Sequence, residues 1–523
     1  MATRTRRRLL VRSNWSDRVV SAVAPQWGLK RQRARIASAL LTHTLEQRHY
    51  EAASGGRRTM GWRKSSADAN AAIGPALHSL RASARDLVRN NPYAASILNT
   101  IADHTVGTGI VPSSENAKAM ALWKRWAETT ACDADGRNDI YGLQKLVMRT
   151  VVESGECLVR RRWRRMEDGL PIPLQLQVLD PDFLDTTKDQ QTLPNGGRIV
   201  QGVEFDALGR RVGYWLFKEH PGSAYSAGGL NTSRIPASEI LHVFKQASPG
   251  QVRGPSWFAP TLLRFKDFDE LEDAVLMKQK IAACLAVFYT DVDGTNERLG
   301  VVSDEEQLDD DVDMLEPGII KNVPPGRSVE IVQPPSVDEY PEYSKTVLRA
   351  IATGMGATYE DTTGDYADMP FSAARMSRIR HWAGVDDWRW RTEIPQFCAP
   401  VWGWMVEAGR IMLEVSGDAE AEWTAPPMPM VDPVNEGLAY QRNIRTGIQT
   451  LFEVLRERGF RPAAVLAEHK AVAEMLDKLG LKLDCDARYL TQAGQLQGSA
   501  AAASTTEVKD PAREQALAAW PRR

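Results

Sequence analysis

Two helix-forming stretches held apart by one polar run constrain this chain more than any other feature. After Gln333-Pro334-Pro335-Ser336, residues Val347, Leu348, Ile351, Ala352 and Met355 recur at the i, i+3/i+4 spacing of one helix face. Gly354 and Gly356 end that helix. The next run, Glu360-Asp361-Thr362-Thr363-Gly364-Asp365-Tyr366-Ala367-Asp368-Met369-Pro370, is rich in turn formers and carries no Lys or Arg. A second helix starts near Ser372 and bears Arg375, Arg378 and Arg380. The pattern over Pro334 to Arg410 is helix, mobile loop, arginine-bearing helix. It holds no constellation of nucleophile, base or metal ligands, so nothing in it points to catalysis.

A chain of 523 residues exceeds one ordinary core and is expected to divide into two to four folding units. Its 43% apolar and 25% charged residues are those of a soluble globular protein. With a net charge of −2, any contact with nucleic acid must come from local patches. Cys132, Cys157, Cys284, Cys398 and Cys485 are scattered without a CxxC pair, which argues against a zinc site and fits a reducing compartment. No metal and no cofactor is expected. No apolar stretch reaches about 18 residues, and Arg12 cuts short Leu9-Leu10-Val11, so neither a membrane span nor a signal peptide is expected.

Along the chain, residues 1–64 hold 15 Lys and Arg against 3 Asp and Glu, an arm that is either solvated or reaches a neighbouring subunit or nucleic acid. Leu77, Leu80, Ala84, Leu87 and Val88 keep helical spacing until Asn90-Asn91-Pro92, and a second helix takes Ala94 to Ile101. Val106-Gly107-Thr108-Gly109-Ile110 is a glycine turn that lacks the GxxxxGK[ST] pattern of a phosphate loop. Trp123 and Trp126 read as core. Residues 141–245 shift to strands: Leu158 to Arg165, the alternating Leu174 to Leu179, a hairpin about Ala207-Leu208-Gly209-Arg210, and Ile240 to Phe244. His242 reads as structural, and Asp180-Pro181-Asp182 as a turn rather than a metal pair.

Residues 255–290 read as the longest helix, starting at Pro260, with an apolar surface too broad for one neighbour to cover. Residues 291–339 hold 14 Asp and Glu against 3 Lys and Arg. This stretch should repel phosphate, and it is either a solvated loop or a dock for a basic partner. Ile319-Ile320 and Val329 to Val332 read as a hairpin about Pro324-Pro325-Gly326. Helices resume over Asn435 to Leu479, and a tail rich in Ala, Ser, Gly and Thr, read as disordered, follows Gln492.

Phe371-Ser372-Ala373-Ala374-Arg375, preceded by Gly364-Asp365-Tyr366, resembles the Gly-Asp-Tyr…Ser-Ser-Ala-Arg signature of tailed-phage portal proteins of the lambda family. Met369-Pro370-Phe371-Ser372-Ala373 departs from the family's usual Asn-Tyr-Ser-Ser. The resemblance extends through Tyr50-Glu51-Ala52-Ala53, Gly56-Arg57-Arg58-Thr59, Arg85 to Pro92, Ser154-Gly155-Glu156-Cys157, Gly202 to Asp206, Gly209-Arg210 and His242-Val243-Phe244, in that order.

The resemblance implies an α+β, mainly helical portal fold that forms a dodecameric ring at one vertex of a phage head, a virion location. Double-stranded DNA would pass through its channel without sequence readout. The implied divisions are a basic arm over 1–64, a wing over 65–254, a first stem helix over 255–290 and an acidic clip over 291–337. A second stem helix over 338–357, a channel loop over 358–371, a long wing helix over 372–415, a C-terminal helical crown over 416–491 and a tail over 492–523 complete it.

Asp365, Asp368, Phe371, Arg375 and Arg378 would face DNA. Asp304, Glu305, Glu306, Asp309, Asp310 and Asp311 would dock the packaging motor. Implied partners are further copies of the chain, the terminase large subunit, the major capsid protein and head-tail connector proteins. No membrane partner is implied. Two other classes stay open on the residues alone: a non-ring head or tail connector, and a nuclease or protease of a mobile element. The second needs a clustered catalytic set that the eight scattered histidines do not supply.

Overall fold

The computed structural model describes residues 67–189, 192–194, 196–223, 231–283, 287–291, 327–331, 340–367, 369–483, 486 and 488. After a short helix over Ala69–Ile73 and a 3-10 turn over Gly74–Ala76, the described chain runs through helices α1 (Leu77–Asn90) and α2 (Pro92–Val106), strand β1 (Val111–Ser113), and helices α3 (Ala117–Trp126) and α4 (Ile140–Ser154). Their starts are written locally. Asn91, Asn116 and Asp139 accept the otherwise orphaned backbone N–H groups of Ala94, Ala119 and Gly142 at the heads of α2, α3 and α4. Pro92 occupies the first turn of α2, where a missing N–H costs nothing.

The chain then turns to strands β2 (Glu156–Trp163), β3 (Leu174–Leu179), β4 (Arg198–Val200), β5 (Val203–Phe205), β6 (Arg211–Phe217), β7 (Thr232–Pro236) and β8 (Ile240–Phe244). They form a three-stranded antiparallel sheet, β3-β2-β8, and a four-stranded meander, β4-β5-β6-β7. The expected hairpin joins β5 to β6, and Asp206 accepts the backbone N–H groups of Leu208 and Arg210 inside its turn.

Helix α5 spans Leu262–Ala283, so the segment expected to be helical over 255–290 is helical only in part. Residues up to Thr261 form turns, and Val287–Asp291 (β9) pairs antiparallel with Arg327–Ile331 (β10). Val287-Phe288-Tyr289-Thr290 is a β-branched and aromatic run, and such residues favour strands once a partner is supplied. Ile319 and Ile320, the partner expected for β10, lie outside the described residues.

The remaining elements are α6 (Tyr340–Met355), α7 (Tyr359–Thr363), α8 (Phe371–Trp388), a π-helical stretch Arg389–Cys398, α9 (Ala399–Ile411), β11 (Glu422–Thr424), α10 (Pro433–Thr446), α11 (Leu451–Glu457) and α12 (Pro462–Leu479). Strand β11 pairs with β1. Among the described residues, no helix is long and apolar enough to cross a membrane.

Among the described residues three apolar cores share elements, and residues 69–523 cluster as one compact unit. Strand β2 alternates: Cys157 and Val159 enter the first core, and Leu158 enters the core of the meander. Helix α4 likewise gives Val147 and Val151 to the first core and Met148 and Val152 to the second. In the first core the Trp123 and Trp402 rings lie 5.3 Å apart. Trp126 donates its indole N–H to the Leu174 carbonyl at 2.8 Å, which settles the one polar atom that its burial would strand.

Glu156, the first residue of β2, is fully buried and binds four groups. Its carboxylate accepts from Arg81 of α1, from Arg253 Nε at 2.7 Å, from His242 Nε2 at 2.9 Å and from the Gly254 N–H at 2.8 Å. Burial opposes its charge, but Arg253, Arg81 and His242 outweigh that and hold the carboxyl well below its ordinary 4.5. Two glycines permit the approach. Gly155 sits at φ +91°, and a Cβ there would meet the Pro255 carbonyl carbon at 2.3 Å, while a Cβ on Gly254 would meet the Gly155 oxygen at 2.3 Å.

The helix from Phe371 to Ile411 does not break at Pro395, although proline removes a donor and crowds the carbonyl four residues back. The chain widens to a π-helix there, and Gln396 donates its side-chain amide to the freed Arg391 carbonyl at 3.4 Å. Within this stretch Glu393 is fully buried, and neither carboxyl oxygen finds a hydrogen-bond partner among the described residues. Burial pushes its carboxyl up to about 8.

Two predictions follow from these carboxyl groups. Glu156→Ala leaves Arg81 and Arg253 buried without their shared partner and should cost about 3–5 kcal/mol in urea unfolding. Its contribution is whole above 4.5 and is lost as pH falls below that, because the unfolded chain then binds the extra proton. Glu393 works the opposite way. Between 4.5 and about 8 the folded chain keeps a proton that the unfolded chain has lost, so stability declines as pH rises through that window. Glu393→Gln should flatten the decline in a series of melts across it; an unchanged slope would mean that another group causes it.

Candidate functional site

The run between α6 and α8 is more ordered at its start than a loop of turn formers suggests. Gly356 ends α6 at φ +77°, in a place where a Cβ would press on the Trp388 ring at 3.2 Å. Thr358 then caps the short helix α7 by accepting the Asp361 N–H at 3.1 Å, and Gly364 closes it in a left-handed conformation. Glu360 and Asp361 lie in the first turn of α7, where the backbone N–H groups favour negative charge. The Thr100 hydroxyl of α2 donates to the Asp361 carbonyl at 3.3 Å and moors α7 to α2.

Beyond Gly364 the described residues are exposed or half-buried. The Asp365 carboxylate accepts from the Tyr359 hydroxyl and from the Ala367 N–H, each at 3.2 Å. Tyr366 and Phe371 stand out at 56% and 58% exposure. Asp368 lies outside the described residues, as do Asp304, Glu305, Glu306, Asp309, Asp310 and Asp311.

Arg375 and Arg378 are one turn apart, yet they meet different neighbours. Arg375 is exposed and lines a cleft with Met428, Tyr440 and Arg458. The nearby Asp432 is held below its ordinary value by hydrogen bonds from Asn435 and, after these, by the charge of Arg375. Arg378 is half-buried, and its Nε has no hydrogen-bond partner among the described residues. It faces His104 of α2, whose charge it opposes. Arg380 lines a cleft of about 600 Å³ with Lys245, Arg349, Glu360 and His381.

Among the described residues, two groups of side chains have the donor types and spacing to hold a metal ion. In the first, ligand atoms of His104, Asp361 and His381 all lie within 4.8 Å of one another. The His104 Nδ1 and His381 Nε2 atoms are 2.9 Å apart, and His381 Nδ1 is 3.0 Å from the Gly356 carbonyl. Burial is the main cause that lowers the basicity of His104; Asp361 and Asp103 act to raise it, and His381 and Arg378 to lower it further.

The second group is Asp180, Asp182 and His220. Its carboxylates are already engaged: Arg85 binds Asp180 at 2.7 Å and Asp182 at 2.6 Å, and Arg81 binds Asp182 at 3.0 Å. Asp180 also accepts the Asp182 N–H inside a 3-10 turn. Two guanidinium groups there leave no net negative charge for a cation.

The buried cysteines are poor nucleophiles. Burial pushes the Cys132 thiol up to about 12 and drives Cys157 and Cys398 well above the ordinary thiol value. The His104–Asp361–His381 group had no local signal, because its two histidines are 277 positions apart. Glu156 had one, the Ser154-Gly155-Glu156-Cys157 string.

The family model of phage portal proteins, lambda family, matches residues 55–389. The probable portal protein of Halomonas phage phiHAP-1 is 25% identical over 450 residues, covering 80% of this chain and 84% of that protein. Portal protein B of Escherichia phage lambda is 25% identical over 367 residues, covering 63% and 68%, and the portal protein of Escherichia phage N15 is 24% identical over 397 residues, covering 68% and 73%. Among solved structures, a chain from the neck of a native gene transfer agent particle, computed with C12 symmetry, matches with a TM-score of 0.44 at 16% identity, over 72% of this chain and 94% of that one. The chain therefore belongs to the lambda family of phage portal proteins.

Proposed function

We propose that this chain assembles into a dodecameric ring at the unique vertex of a phage head, and that double-stranded DNA enters and leaves through the centre of that ring. The observation that carries this reading is the family match across residues 55–389. A portal protein is a component of the virion, and its neighbours there are copies of itself together with capsid and tail proteins. The finer partners are the terminase large subunit during packaging, the major capsid protein around the ring and head-tail connector proteins afterwards. The ring itself has no enzymatic role on this reading, and the energy for packaging comes from a separate ATPase.

Helices α5 and α6 are then the two stem helices, with the acidic clip over 291–337 between them. Tyr340 of α6 donates its hydroxyl to Glu272 of α5 at 3.0 Å, which supports their pairing. Leu263, Leu276 and Met277 of α5 stay exposed in one chain, and α10 and α12 bury none of their own residues. Such surfaces suit a head-to-tail contact that closes on itself. Residues 358–371 form the channel loop, 65–254 and 372–415 the wing, and 416–491 the crown.

DNA meets the exposed edge from Asp365 to Phe371. The acids there keep the duplex near the axis, and arginines on α8 offset the repulsion by contacts to phosphate, which carry no sequence information. Arg375, being exposed, is the better phosphate donor; Arg378 supports the base of the segment. Arg375→Gln should leave rings intact and reduce DNA retained in filled heads, measured as protected DNA per particle, whereas Arg378→Gln should loosen the segment itself and raise its proteolysis. Normal retention in Arg375→Gln heads would remove the DNA role. Changing Asp309, Asp310 and Asp311 together to Asn should spare rings and weaken binding of the terminase large subunit, most at low salt. Equal binding across salt would leave that stretch as a solvated loop.

A further inference from the structure

We propose that His104, Asp361 and His381 form a binding site for a transition-metal dication of the zinc class, which fastens the start of the α6–α8 connection to α2 and α8. The three donors come from three separate elements, α2, α7 and α8, and their ligand atoms already lie within 4.8 Å of one another. Nothing needs to fold for the site to exist.

The tautomers favour a metal. His381 Nδ1 lies 3.0 Å from the Gly356 carbonyl, so it carries the proton and donates it there. That leaves the Nε2 lone pair of His381 directed at His104 Nδ1, 2.9 Å away. An imidazole oriented by a backbone carbonyl through its far nitrogen is the usual arrangement of a metal-binding histidine. Without metal, one proton on His104 Nδ1 bridges the two rings. Metal uptake at Nδ1 would require the other neutral tautomer of His104, its proton moving through solvent from Nδ1 to Nε2, so the ring stays neutral and no net proton is released. At bond lengths of about 2.0–2.1 Å in a tetrahedral site, the two nitrogens would stand about 3.3 Å apart, a shift of a few tenths of an ångström.

The surroundings decide the class of ion. Two imidazoles and one carboxylate suit zinc and its neighbours rather than magnesium or calcium, which favour oxygen ligands. Asp361 and Asp103 face the site as anions and Arg378 as a cation, so the local charge leaves room for a dication. Thr100 and Thr358 hold the Asp361 backbone from both sides. The neighbouring cleft of about 600 Å³, which His381 lines, gives access. Three protein ligands leave a fourth position for water.

The test uses the full-length chain without an affinity tag, stripped with chelator and titrated with zinc chloride by calorimetry, then with cobalt chloride to read the visible absorption of a four-coordinate ion. Saturable binding of one ion per chain is expected, with no heat from magnesium chloride. His381→Ala and Asp361→Asn should each weaken binding by at least about tenfold, and His220→Ala should leave it unchanged. Should His381→Ala fail to fold, Asp361→Asn alone decides, because it keeps the shape of the side chain on a half-buried turn. Absence of saturable zinc binding, binding unchanged in Asp361→Asn, or binding lost only in His220→Ala overturns the proposal.

Discussion

The buried carboxylate of Glu156 is the interaction on which the described structure most depends. It draws α1 through Arg81, β8 through His242, and the segment leading to α5 through Arg253 and the Gly254 N–H, onto the first residue of one central strand. A buried ion pair is weak evidence of net stability, since desolvation offsets much of its attraction. What it supplies is position. The arrangement of α1, the three-stranded sheet and the start of α5 brings four donors onto one carboxylate. The backbone crossing of Gly155 and Gly254 is the steric counterpart of the same constraint.

That junction bears on function because α5 leaves it directly and α6 packs back against α5. The second core, which holds Phe265 and Phe268 of α5 with Leu348, Ile351 and Met355 of α6, also takes Val385 and Trp388 of α8. The segment from Thr358 to Phe371 thus starts and ends on helices that share one packed core. Its first half is tied down by α7 and Thr100, and the described residues of its second half are exposed or half-buried.

Much of this was legible in the residues. The stripe from Val347 to Met355 is the buried face of α6, the alternation of Leu174 to Leu179 is β3, and the Asp206 turn is where its Gly and Asp place it. Local periodicity and turn chemistry were enough for these. The end of α5 was not legible, because Val287 to Thr290 becomes a strand only through pairing with Arg327–Ile331, a contact distant in sequence. Short α7 hid inside a run of turn formers, since Thr and Asp that cap a helix look the same as Thr and Asp that make a loop. The Arg375 and Arg378 pair shows the limit of helical-wheel reasoning: nearness on α8 did not reveal that one meets the cleft by Met428 and the other His104. The histidine pair required the tertiary fold.

Single-particle electron microscopy of the purified full-length chain, viewed along the particle axis, tests the central claim most directly. A closed ring of twelve copies is expected, with Asp365 and Phe371 at the rim of the central opening. Monomers or open chains across salt conditions, or a ring in which residues 364–371 face outward, would contradict it.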